Sequence, residues 1–219
     1  MDGVTCIAPG KQKSCESTKN WFDVIHALQA SGFVVGKDIF SAPYDFRMGP
    51  EQFLVDDYPR LKGLVEKIYD DNGGKPVVFL SVSYGAQFGG AFLAHFVDDE
   101  WKDKYIDSWI SLSGAFNGAP MAVRQLLSGG PVYGLDYVDI EIARDTLRSW
   151  PAMSWLVPTF VDGDPRNEGD RVIMYTDVKN YTLTDVPELL DAGGAKDAAD
   201  MKRKQRITTV ADPGVKVHW

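Results

Sequence analysis

The run Pro76-Val77-Val78-Phe79-Leu80-Ser81-Val82-Ser83-Tyr84-Gly85-Ala86-Gln87-Phe88-Gly89-Gly90 opens apolar and closes on small residues. Valine and phenylalanine suit a pleated, half-buried surface, and apolar residues continue at helical spacing through Ala91-Phe92-Leu93-Ala94-His95-Phe96. The pattern predicts a buried strand, a tight turn and a helix. At its centre, Ser81-Val82-Ser83-Tyr84-Gly85 differs at one position from G-x-S-x-G, which sets a serine on a sharp strand-to-helix turn. Small residues are needed two before and two after that serine, because the turn brings backbone segments close together. Ser81 stands for the first glycine and Gly85 keeps the second.

Ser83 admits two readings. In the catalytic one its hydroxyl stands above the sheet as a nucleophile. The backbone N–H of Tyr84 then supplies half of an oxyanion hole, and the positive end of the next helix favours negative charge there. In the structural one Ser83 is an ordinary N-cap serine. The strand before and the helix after favour the catalytic reading.

The chain has 219 residues, 44% of them hydrophobic, which suits one globular domain or one domain with a modest insertion. A formal net charge of −8 argues against a nucleic-acid partner. The one concentrated basic run, Lys202-Arg203-Lys204-Gln205-Arg206, reads as a solvated helix end. No stretch approaches the roughly 18 apolar residues of a membrane span, and Met1-Asp2-Gly3 does not open a signal peptide. Either the protein is soluble and cytosolic, or the chain lacks its natural N-terminus. Cys6 and Cys15 are the two cysteines, and their spacing leaves open a loop bridge or free thiols. The sequence holds no CxxC, HExxH or acidic calcium loop, so no metal site is expected.

Along the chain, Val4 to Gly10 reads as a strand and Lys11 to Thr18 as loop, and a helix runs from Trp21 to Ala30. His26 on that helix reads as structural. A second short strand is expected over Asp38-Ile39-Phe40-Ser41-Ala42-Pro43, leading into the loop Pro43-Tyr44-Asp45-Phe46-Arg47, where Asp45 and Arg47 are placed to pair with each other or with nearby backbone groups. Leu54, Tyr58, Leu61, Val65 and Ile68 mark one face of a helix from Pro50 to Asn72, in which Pro59 falls in the first turn or divides it. Trp101 to Tyr105 reads as a polar connector, and Ile106 to Ala115 as the next strand, with Trp109 opposite Ile106, Ile110 and Leu112. Strands, helices and short connections in this order imply parallel pairing, with the loops after Pro43, Leu80 and Ser113 converging on one edge. Beyond Ser128-Gly129-Gly130-Pro131 the alternation stops. The aromatic, proline-broken segment Trp150 to Pro158 suits a cap packed over a pocket, Val172 to Tyr175 a short strand or hairpin arm, and Asp185 to Leu190 a short helix. Pro213 to Trp219 begins a strand.

Several of these pieces together resemble the lecithin:cholesterol acyltransferase family. They are Ala42-Pro43-Tyr44-Asp45-Phe46-Arg47, Lys75-Pro76-Val77-Val78-Phe79-Leu80 into the turn, Trp101-Lys102-Asp103-Lys104-Tyr105-Ile106, and Ser111-Leu112-Ser113-Gly114-Ala115-Phe116-Asn117-Gly118-Ala119. Pro213-Gly214-Val215-Lys216-Val217-His218 is similar to the family's next sheet strand. The match runs from about residue 2 to 130 and resumes at the end. It departs at Val82, where the family usually has histidine, and at Ser81, where it has glycine or alanine.

The resemblance implies an α/β-hydrolase fold with a mostly parallel sheet and a cap or lid. Residues 1–130 would form the core, 131–207 the cap-like insertion and 208–219 the return to the sheet. It implies a serine-dependent O-acyltransferase or phospholipase that moves a fatty acyl chain from a phospholipid to a sterol, another alcohol or water through an acyl-enzyme on Ser83. The Tyr84 amide matches one oxyanion donor. Read from the residues themselves, Trp150 and Trp155 are candidate lipid contacts, with packing inside the cap the commoner fate of such side chains. No cofactor is implied. The expected partners are phospholipid, a sterol or alcohol acceptor, and a peripheral membrane or lipoprotein surface, in a secreted, lysosomal or endomembrane setting. A serine needs a base and an orienting acid, and the resemblance places both after Val217, beyond Trp219. The family's first strand and membrane-binding segment would precede residue 1. The expectation is therefore a stretch of a longer enzyme. A shortened relative that binds lipid or a partner without catalysis, and an unrelated α/β-hydrolase esterase, are the alternatives.

Overall fold

Apolar runs that alternate with helical patterns bury themselves by stacking helices on a sheet. The computed structural model, which describes residues 21–130, 138–160, 169–207 and 211–218, is mixed α/β with a mainly parallel sheet. The strand expected at Val4, the loop to Thr18 and both cysteines lie outside the described residues.

The first helix, α1, spans Phe22–Ala30 and buries Ile25, while His26 is exposed and stacks on Phe22. The strand expected over 38–43 does not form; a single bridge joins Val35 to Ile39. Local bonds explain the difference. The Asp38 carboxylate accepts from the Val34 N–H at 2.9 Å, and Gly36 N–H donates to the Ile39 carbonyl at 2.9 Å. A side chain that bonds nearby backbone competes with sheet pairing.

Pro50–Gln52 starts a helix that widens into a π-helical turn over Phe53–Asp57 before α2, Tyr58–Asp71. Pro59 lacks the N–H that would reach back four residues, so the ladder must give just before it. Downstream the expected face is buried at Tyr58, Leu61 and Val65, and the Tyr58 hydroxyl donates to the Phe88 carbonyl at 3.1 Å.

Strand β1 is Val77–Val82 and helix α3 is Tyr84–His95. The stretch read as a polar connector is instead most of helix α4, Asp99–Tyr105. Its start is set by Asp98, whose carboxylate accepts from the Trp101 N–H at 2.8 Å, and its charges run acidic to basic along the helix dipole. Trp101 is buried edge-on to Phe92 and donates its indole N–H to Glu66 at 2.8 Å. That tertiary anchor leaves no signature in a five-residue window.

Strand β2, Ile106–Leu112, pairs parallel with β1 and with β5, Val217–His218, in the order β1-β2-β5. The register sets Phe79 beside Trp109 and Val82 beside Leu112, so β1 and β2 end side by side. Trp109 is buried, whereas Val78, Leu80 and Leu112 stay partly open to solvent.

The remaining elements are α5 (Pro120–Ser128), α6 (Ile140–Arg148), α7 (Pro151–Leu156), the antiparallel hairpin of β3 (Val172–Tyr175) and β4 (Asn180–Thr182), α8 (Val186–Ala192) and α9 (Lys196–Lys204). They pack around a second core that includes Leu126, Leu147, Met153, Leu190 and Ala198, distinct from the first, around Phe53, Phe88, Phe92 and Trp109. Helix α7 belongs to both, placing Met153 in the second core and Trp155 in the first. Among the described residues no helix is long and apolar enough to cross a membrane.

The basic run departs from its reading as a solvated helix end. Arg203 and Lys204 are exposed, but Lys202 is buried, its ammonium donating to the Thr159 hydroxyl and, at 3.4 Å, to the Val157 carbonyl. Burial lowers its pKa to about 8. Between about 8 and the unfolded value of about 10.4, the unfolded chain then binds more protons than the folded one. The contribution of Lys202 to stability should therefore rise across that window. Thermal melts of wild type and Lys202→Met should diverge there, with the wild type gaining relative to the variant; parallel curves would contradict the buried ammonium.

Candidate active site

The turn after β1 fixes one residue in an unusual conformation. Ser83 has φ 51° and ψ −120°, and Tyr84 begins α3 directly after it. A side chain with a Cβ rarely adopts positive φ, because the Cβ crowds the backbone. The Ser83 N–H donates to the Leu112 carbonyl at 2.9 Å, which carries the sheet ladder up to the turn. An N-cap residue would have extended backbone and a side-chain oxygen accepting from the first helical turn. Ser83 makes no such cap bond, and its side chain is exposed. The capping bond that the structural reading of this serine expects is therefore missing, and the backbone is strained; strained residues of this kind cluster at functional sites.

The small-residue expectation is not enforced at Gly85: a Cβ there would stand in ordinary contact with the Tyr44 hydroxyl at 3.4 Å and the Ser81 Cβ at 4.0 Å. Ser81, the departure from glycine, is put to use: its hydroxyl accepts the indole N–H of Trp109 at 2.8 Å. Trp109 stands edge-on to Phe116 at 5.6 Å, so the turn is braced sideways against the loop after β2.

Beneath the turn lies an aromatic layer. Tyr44 stacks on Phe88 at 4.2 Å, and Tyr84 meets Trp155 edge-on at 5.6 Å while donating its hydroxyl to the Met48 carbonyl at 2.5 Å. Burial, with the Asp57 charge second, pushes the Tyr44 phenol well above its ordinary range, and burial does the same to Tyr84. Neither phenol serves as a base near neutral pH. Asp45 and Arg47 pair as expected, with Nε–Oδ1 at 2.8 Å and Nη2–Oδ2 at 2.6 Å. The hydrogen bond from Arg47 holds the Asp45 carboxyl below its ordinary pKa. The Arg47 carbonyl accepts from Ala152 N–H at 3.0 Å, which docks α7 on this loop.

Trp155 is fully buried against Phe53 and Tyr84, and Trp150 is half-buried edge-on to the exposed Phe46 at 5.7 Å. Gln87, which the sequence reading passed over, is buried one turn beyond Ser83 and donates to the Trp155 carbonyl at 3.3 Å. Its signal was a lone amide on an otherwise apolar helix. His95 sits at the opposite end of α3 from Ser83, and His218 lies within β5. Among the described residues no histidine contacts the Ser83 hydroxyl, and no group of three or more His, Cys, Asp or Glu is placed to hold a metal ion.

The arrangement has a definite chemical capacity. An exposed hydroxyl stands where the first N–H groups of α3, those of Tyr84 and Gly85, have no carbonyl within the helix to bond. Negative charge developing on a carbonyl oxygen beside Ser83 would meet those donors and the positive end of the helix.

Residues 4–211 match the family model described as lecithin:cholesterol acyltransferase. The chain is 31% identical over 206 residues to the Bos taurus protein named lysosomal phospholipase A and acyltransferase, covering 89% of this chain and 46% of that one. It is 29% identical to lecithin-cholesterol acyltransferase-like 1 of Arabidopsis thaliana, over 92% of this chain and 48% of the plant protein. With phosphatidylcholine-sterol acyltransferase of Mus musculus it shares 30% identity over 74% of this chain and 35% of that protein. The chain spans about half the length of the first of these relatives.

The Ser81 bond yields a stability prediction. Ser81→Ala strands the buried Trp109 N–H, and leaving such a donor unpaired costs about 1–3 kcal/mol. The urea midpoint should fall accordingly, and an unchanged midpoint would show that the bond does not hold the turn.

Proposed function

We propose, because the chain belongs to the lecithin:cholesterol acyltransferase family, that Ser83 is the nucleophile of a serine acyltransferase or phospholipase acting on phospholipids. The observation that carries this reading is the backbone of Ser83, strained at φ 51° with an uncapped, exposed hydroxyl at a helix N-terminus. The names of its relatives, lysosomal phospholipase A and acyltransferase and phosphatidylcholine-sterol acyltransferase, support phospholipid as the acyl donor and a sterol or other alcohol as an acceptor.

In this mechanism the Ser83 oxygen attacks the ester carbonyl carbon, giving a tetrahedral oxyanion that accepts from the Tyr84 N–H. Collapse breaks the bond to the glycerol oxygen, which leaves as the alcohol after receiving the proton taken from Ser83. An acyl chain remains esterified to Ser83. An alcohol or water then attacks that ester, and Ser83 is regenerated. The base that moves the proton is a histidine held by a carboxylate, assigned to the part of the relatives' length that this chain does not match. Residues 131–207 act as a cap, a reading supported by the two ties between α7 and the turn, Gln87 to Trp155 and Ala152 to Arg47. A membrane or lipoprotein surface supplies the lipid.

In the natural gene product, Ser83→Ala should reduce acyl release from phospholipid vesicles by about 10⁴-fold or more. Turnover within tenfold of wild type would exclude Ser83 as nucleophile. Ser83→Gly should be equally inactive yet more stable by about 1 kcal/mol, because glycine adopts positive φ without strain.

A further inference from the structure

Ser113 is the one other described residue, glycines aside, with positive φ, and its value of 51° equals that of Ser83. The two are neighbours. Val82 and Leu112 are paired in the parallel ladder, and the Ser83 N–H donates to the Leu112 carbonyl, so Ser83 and Ser113 leave adjacent strand ends together. Adjacent strands run about 4.8 Å apart. The Ser113 side chain is exposed, and among the described residues its hydroxyl makes no hydrogen bond. It neither caps a helix nor braces a loop.

The loop from Gly114 to Ala119 holds the strain at Ser113 in place. A Cβ on Gly114 would approach Phe116 to 2.5 Å and the Ser111 hydroxyl to 2.9 Å, so the chain folds back tightly directly after Ser113. The same loop is stitched to the segment after α7, with Ala119 N–H donating to the Leu156 carbonyl at 2.7 Å and Thr159 N–H to that of Asn117 at 3.1 Å. Strained residues persist where their surroundings over-determine them, and they cluster at functional sites.

We propose that Ser113 is a substrate-positioning residue whose hydroxyl binds the alcohol side of the ester at Ser83. This rests on the proposed role of Ser83. A carboxylic ester has an apolar acyl side and a polar alcohol side, and a hydroxyl beside the nucleophile serves the polar one. The leaving glycerol and the incoming alcohol occupy the same place in the two halves of the reaction. One hydroxyl on the strand end of β2 therefore contacts both, and it favours transfer to alcohol over transfer to water.

The test compares Ser113→Ala, which keeps the Cβ and its strain but drops the hydroxyl, with Ser113→Gly, which drops both. The natural gene product is given phospholipid vesicles and a soluble primary alcohol, and the ratio of transferred to hydrolysed acyl chain is measured with the KM for the alcohol. Acylation by a short-chain nitrophenyl ester, whose leaving group needs little help, is followed in parallel. Both variants should acylate within about twofold of wild type, raise the alcohol KM roughly three- to tenfold, and shift the product ratio toward hydrolysis by a similar factor. Ser113→Gly should also melt at a higher temperature, which keeps the test open if the alanine variant folds poorly. An unchanged ratio and KM with normal acylation would overturn the role of Ser113 and leave that of Ser83 standing. Normal turnover in Ser83→Ala would overturn both.

Discussion

The positive φ of Ser83 governs how its surroundings are built. To turn a strand into a helix at one residue, the backbone must enter a region that a Cβ makes unfavourable, and something must hold it there. The sheet holds one side, through the bond from Ser83 N–H to Leu112. The start of α3, buried from Ala86 to Leu93, holds the other. Gly85 packs beside the Tyr44 hydroxyl, and Ser81 anchors Trp109 through its hydroxyl.

Around that point the aromatic residues do more than fill volume. Tyr44, Phe53, Tyr84, Phe88 and Trp155 form a continuous set of ring contacts between the loop after Ala42, the entry to α2, the helix α3 and the helix α7. Rings pair with preferred geometry and bury large areas, so these four segments are positioned with respect to one another. The polar ties run through backbone carbonyls: Met48 from the Tyr84 hydroxyl, Trp155 from Gln87, Arg47 from Ala152. A turn assembled this way keeps the Ser83 hydroxyl exposed while its supports are dry.

Much of this was legible from local pattern. The apolar run into small residues located the strand-to-helix turn at Ser83, the spacing of Tyr58, Leu61 and Val65 located the buried face of α2, and the alternation of strands and helices implied parallel pairing. Asp45 and Arg47, two apart in a loop, paired as their chemistry required. What misled was the competition between local and distant partners. Residues 38–43 have strand-like composition, but the Asp38 carboxylate and the Gly36 turn use the backbone groups that a neighbouring strand would need. Trp101 to Tyr105 reads as polar connector until the Asp98 cap and the burial of Trp101 are seen together.

Residue order alone was enough for the turn at Ser83, the succession of its flanking strands and helices, and the family, because these rest on short-range periodicity and on residue types with narrow conformational roles. The purpose of each exception came from the folded chain. Ser81 is an acceptor for a tryptophan 28 residues away, Gln87 a tie to α7, Lys202 a buried cation in a run that reads as solvated, and Ser113 a second strained serine beside the first. Each of those roles is defined by a partner or neighbour distant in sequence, and a bond or strain of that kind exists only once the chain has closed on itself.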